Sequence, residues 1–142
     1  EEHFARYFDD RAKVVELHVQ ATALFNELRA QIEALVEEID ALDPVLDARI
    51  AKYEAAIAAF NADVDSFNAR AANGSFSSQQ QFDSERAVLV SRGAALDAEG
   101  DALDAEIDRY NGLVDQLTAL DADYADLYSA LDSNDDTDTV TP

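Results

Sequence analysis

The 142-residue sequence predicts an all-α protein, a long antiparallel helical hairpin packed as a coiled coil. Three observations carry that prediction. Ala is the commonest residue, and Leu, Glu, Arg and Gln, all good helix formers, fill much of the rest. Apolar residues recur at alternating gaps of four and three along two stretches. With only 4 Gly and 2 Pro, the chain lacks the turn signals of a many-stranded β fold. The length suits one domain. Its expected parts are an overhanging helical segment (1–20), a first hairpin helix (21–72), a loop (73–77), a second hairpin helix (78–131) and an acidic tail (132–142).

The first helix carries the row Phe4, Tyr7, Val14, Ala21, Phe25, Leu28, Ile32, Leu35, Ile39, Leu42 and Leu46, interrupted by Arg11 and His18. The row continues through Ile50, Tyr53, Ile57, Phe60, Val64, Phe67 and Ala71. Two successive gaps of four at Leu42-Leu46-Ile50 form a stutter, which locally unwinds a supercoil. Pro44 falls at the same place. Inside a helix, Pro removes a hydrogen bond and crowds the preceding turn, at a cost of about 3 kcal/mol. Asp43 capping a new helix with Pro44 at its first position would instead give a three-helix arrangement. The apolar phase crosses Pro44 with no Gly or polar cluster beside it, which favours one long helix kinked there.

Asn73-Gly74-Ser75-Phe76-Ser77-Ser78 is the clearest loop. Gly74 suits the left-handed position that ends a helix. Ser77 with Gln80 three residues later reads as a capping box. Asn73-Gly74-Ser75 also matches the acceptor tripeptide for N-glycosylation at Asn73.

The second helix has a strict seven-residue row: Phe82, Leu89, Leu96, Leu103, Tyr110, Leu117, Tyr124 and Leu131. A companion row holds Arg86, Gly93, Gly100, Ile107, Val114, Asp121 and Tyr128. An antiparallel turn within the loop then puts Phe60 opposite Gly93 and Tyr53 opposite Gly100. Gly inside a helix costs about 1 kcal/mol relative to Ala, so two helical glycines facing two large rings have a packing reason.

The same register carries residues 1–20 past the second helix, by about 30 Å at 1.5 Å per residue. Phe4, Tyr7, Phe8, Val14 and Val15 lie on this overhang, and an isolated helix of that length is marginal in water. Leu113, Leu120 and Leu127 form a further apolar row on the nearby part of the second helix. These eight residues are the expected self-association surface of a homo-oligomer.

A formal charge of −21 excludes nucleic-acid binding by phosphate neutralisation and disfavours anionic lipid. No stretch approaches the roughly 20 apolar residues of a membrane span. Without Cys there is no disulfide frame, thiolate nucleophile or zinc-thiolate site. The lack of Cys and Met fits an extracellular or cell-envelope setting. The opening Glu1-Glu2-His3 reads as a processed chain or an excised piece.

Catalytic chemistry has little to stand on. His3 and His18 belong to no His-Glu-x-x-His or Glu-x-x-His motif. Serines cluster in the loop without a nucleophile elbow. The carboxylates follow helix faces, where a glycosidase would need a cleft. His18 and Arg11 read as polar devices of an interface, and Asp121 as a solvated defect in its row or the partner of a base across a contact. No enzyme and no cofactor is expected. The one cation candidate is calcium at Asp132, Asn134, Asp136 and Asp138, whose alternate spacing is that of a calcium loop; Thr137 replaces its turn Gly and no closing Glu follows. Thr137, Thr139 and Thr141 are candidates for O-linked sugar.

The stretch Ala102-Leu103-Asp104-Ala105-Glu106-Ile107-Asp108-Arg109-Tyr110-Asn111 and the pairs Phe25-Asn26, Phe60-Asn61 and Phe67-Asn68 resemble long helical regions of bacterial extracytoplasmic proteins. Some of those regions precede a matrixin-like zinc protease domain. The chain has no zinc-ligand motif, so protease activity does not carry over. The resemblance implies a secreted or envelope-associated helical module. The expected function is a non-enzymatic structural subunit that self-associates into a filament or surface assembly. The alternatives are a spacer or adaptor bound to an envelope protein partner, and a calcium-binding helical module.

Overall fold

A computed structural model describes residues 2–135, and side chains from 6 to 132. Two helices make up the described chain: α1, Glu2–Ala72, and α2, Gln79–Asp135. They pack against each other as an all-α hairpin. No helix among the described residues is long and apolar enough to cross a membrane.

The backbone divides into two compact units, one of Glu1–Ile39 with Gly112–Pro142 and the other of Asp40–Asn111. In the second unit, the half-buried positions of α1 include Leu42, Leu46, Ile50, Tyr53, Ile57, Phe60, Val64 and Phe67. They repeat the sequence row, stutter included. Facing them on α2 are Phe82, Leu89, Gly93, Leu96, Gly100, Ile107 and Tyr110, with Leu103 at 5% exposure the one buried hydrophobic among the described residues. A two-helix seam leaves most side chains a wet edge, so burial is partial almost everywhere.

Helix α1 passes through Pro44 without interruption, which overturns the three-helix alternative. Asp43 caps nothing. Its Oδ1 accepts a hydrogen bond of 3.0 Å from the Tyr110 hydroxyl on α2. That bond raises the Tyr110 phenol above its ordinary value, helped by partial burial and by the negative charges of Asp47 and Asp40.

The loop closes with a complete Schellman motif. Gly74 takes φ +65°, the Ser75 N–H donates to the Arg70 carbonyl at 2.9 Å, and the Gly74 N–H donates to the Ala71 carbonyl at 3.3 Å. The cap of α2 lies one residue later than expected. The Gln81 N–H donates to Ser78 Oγ at 3.1 Å, so Ser78, not Ser77, is the N-cap. Gln81, not Gln80, reaches back, and its Oε1 accepts the Ser77 N–H at 2.8 Å and the Ser77 hydroxyl at 2.5 Å. Both serines can cap locally, and the phase of the helix facing α1 selects between them.

Phe67, Phe76 and Phe82 close this end as a ring triangle with centroids 5.1–5.2 Å apart. Arg70 covers it with its guanidinium 4.4 Å from the Phe76 centroid and a two-pronged pair to Glu85 at 2.6 and 3.0 Å. Hydrogen bonding from Arg70 holds the Glu85 carboxyl below its ordinary value. Farther along, Arg49 joins Glu99 at 3.0 Å and also pairs with Glu106, and both bonds raise its guanidinium.

Candidate interaction surface

Among the described residues, the least covered apolar surface lies in the unit of Glu1–Ile39 with Gly112–Pro142. Its seam begins at Ala21, the first half-buried side chain on α1, and continues through Phe25, Leu28, Ile32, Leu35 and Ile39. Before Ala21, every described side chain from 6 to 20 is exposed. Tyr7 at 61% and Phe8 at 63% are as open as Val14, Val15, Leu17 and Val19. Water normally does not face so many apolar groups on one short segment. Tyr7 and Phe8 lie edge to face with ring centroids 5.8 Å apart, a compact aromatic tip.

Of the expected self-association residues, Tyr7, Phe8, Val14 and Val15 are thus exposed together on α1. The side chain of Phe4 lies outside the described residues, as does that of His3. The row on α2 behaves differently. Leu113, Leu120 and Leu127 are half-buried, whereas Asp121 and Tyr128 of the companion row are exposed. From Gly112 to Leu127 the half-buried positions are Gly112, Leu113, Val114, Leu117, Leu120 and Leu127, so two gaps of three follow one another after Val114. Such a stammer overwinds the packing locally and moves the seam from the companion row to the leucine row. These leucines are therefore partly covered within the hairpin and partly open.

What the stammer releases is aromatic. Tyr128 is 62% exposed, and with Phe25, Tyr124, Leu131 and Asp132 it lines an open groove of about 430 Å³. Phe25 and Tyr124 form its floor, edge to face at 5.2 Å. Sequence reasoning placed Tyr124 and Leu131 in the seam and missed this groove. Its signal was the choice between adjacent apolar rows on α2, which periodicity alone leaves open.

The remaining candidate residues take these places. Gly93 and Gly100 face Phe60 and Tyr53, as the sequence pairing expects: a Cβ on Gly93 would stand 3.3 Å from Phe60 Cζ, and one on Gly100 would stand 2.6 Å from the Tyr53 hydroxyl. Arg11, His18 and Asp121 are exposed. Asn73 is exposed in the turn, with its N–H donating to the Ala69 carbonyl at 3.0 Å. Helix α2 continues to Asp135, so positions 132 and 134 stand about 200° apart around its axis. A calcium loop needs those positions to converge, and helical backbone there does not do so. Asp136 and Asp138 lie outside the described residues, as do Thr137, Thr139 and Thr141 and the side chain of Asn134. No group of three or more His, Cys, Asp or Glu able to hold a metal occurs among the described residues.

Comparison of this chain with protein-family models, with curated proteins and with solved structures returned no match.

Proposed function

We propose that this chain is a non-enzymatic structural subunit that acts by self-association, as part of an extracellular or cell-envelope filament or surface assembly. One observation carries the reading: a run of exposed apolar side chains, Tyr7, Phe8, Val14, Val15, Leu17 and Val19, on a helical segment that the described residues leave open. Covering that face by helix packing removes apolar surface from water, at roughly 25 cal/mol per Å². The groove at Phe25, Tyr124 and Tyr128 offers a second apolar surface in the same unit. The extracytoplasmic setting is supported by the absence of Cys and Met from the sequence.

The test is the mass of the purified chain by sedimentation velocity across a wide concentration range, with negative-stain microscopy of the same samples. Mass that rises with concentration supports the proposal. A 15.5 kDa monomer at every concentration overturns it and leaves the spacer reading, in which another protein covers the exposed segment.

A further inference from the structure

Two charged side chains of opposite sign interrupt apolar rows on the open surface. Arg11 stands between Tyr7 and Val14 in the exposed row of α1. Asp121 stands seven residues before Tyr128 on α2, and Asp132 four residues after it, so both share its helix face. Asp132 also lines the aromatic groove. Arg11 forms no ion pair with any described residue, whereas Arg29, Arg49, Arg70 and Arg92 each do.

The net charges of the two surfaces differ in the same sense. Between residues 6 and 20, Arg6, Arg11 and Lys13 balance Asp9, Asp10 and Glu16, in a chain whose total is −21. After Arg109 the sequence has no Lys or Arg, and Asp115, Asp121, Asp123, Asp126, Asp132, Asp135, Asp136 and Asp138 follow. Most approaches between two copies bring acid against acid. The charge-balanced segment 6–20 meeting the acidic groove reduces that repulsion and sets a cation against anions.

We infer that the groove takes the α1 tip of a second copy, with Arg11 of one chain set against the acidic face of the next that carries Asp121 and Asp132. This deepens the self-association reading and rests on it. Tyr7 and Phe8 supply the apolar area that seats against Tyr124, Tyr128 and Leu131, while the charge pair sets orientation and register. An Arg–carboxylate pair shielded by rings gives geometric specificity that apolar contact lacks. The contact joins unlike surfaces, so it propagates head to tail unless the rotation closes it.

Charge exchange tests the pairing. One variant carries Arg11→Glu and Lys13→Glu, the other Asp121→Lys and Asp132→Lys. All four positions are exposed, and circular dichroism verifies that each variant remains helical. Each variant alone sets like charges against each other and is expected to associate on the order of tenfold or more weakly than the natural chain. Their mixture restores opposite charges and is expected to recover association. The natural chain has no Cys. A Tyr7→Cys chain mixed with a Tyr128→Cys chain should therefore cross-link under oxidation into mixed dimers, in excess over either homodimer. If the Asp121→Lys, Asp132→Lys variant alone associates like the natural chain, or the mixture fails to recover, the groove is not the acceptor. The inference then falls, while self-association through α1 stands. A natural chain that remains monomeric overturns both.

Discussion

The Tyr53 hydroxyl lies 2.6 Å from the point where a Cβ on Gly100 would stand. No real Cβ tolerates that distance, so the ring and the missing side chain define each other. Gly93 has the milder form of the same relationship, with Phe60 Cζ at 3.3 Å, and Gly112 has nothing within 4 Å. Three helical glycines thus rank by crowding. Gly112→Ala is expected to stabilise by about 1 kcal/mol, the ordinary helix preference of Ala. Gly93→Ala should fall near neutral. Gly100→Ala should destabilise despite the same preference. Adding Tyr53→Phe should recover most of that loss, because the ring carbon behind the hydroxyl is 3.3 Å away. Urea denaturation of the four variants measures the ranking, and a Gly100→Ala chain as stable as Gly112→Ala would contradict it.

Capping separates Ser78 from Ser77. Ser78 Oγ accepts the Gln81 N–H, whereas Ser77 donates to the Gln81 side chain. Ser78→Ala is expected to cost about 1 kcal/mol, and Ser77→Ala less. The same denaturation measurement decides, and the reverse order would put the cap at Ser77.

Acid should loosen the loop end through Glu85. Arg70 lowers the folded value of this carboxyl below its ordinary 4.5. Its contribution is therefore fully present above the ordinary value and is lost as pH falls through the lowered one. Glu85→Gln should flatten that part of the stability profile, and the exposure of the pair keeps the effect small. Tyr110 acts at the opposite end of the scale. Its folded value is raised above 10.0, so its bond to Asp43 contributes below that pH and is lost as pH rises through the raised value. Tyr110→Phe should remove the alkaline loss. Profiles unchanged by either substitution would show that these bonds do not persist in solution.

The α1 tip supplies the test of association. Tyr7→Ser with Phe8→Ser removes two rings that are more than half exposed, so the folded chain should keep its melting temperature. Association should weaken on the order of tenfold or more, because aromatic anchors dominate helix contacts. Sedimentation velocity reads both species. Unchanged assembly would move the contact away from the tip.

Helix content, the loop at Asn73-Gly74, the α1 row with its stutter, and the pairing of Gly93 and Gly100 with Phe60 and Tyr53 were all legible in the sequence. Each is written in local chemistry: a helical period, a left-handed turn residue, or a missing side chain opposite a large one. The exposed surface at Tyr7, Phe8, Val14 and Val15 followed from the same register. Tertiary structure decided the rest, wherever two local solutions were close in energy. Asp43 beside Pro44 suits a helix start as well as a continuing helix, and Tyr110, 67 residues away, reaches it in the uninterrupted one. Leu120 and Asp121 belong to neighbouring rows of one helix, and only packing against α1 turns the leucine inward and frees Tyr128 for the groove. Periodicity names the apolar rows, but a helix surface has room for more rows than one partner can cover, and the partner's shape chooses among them.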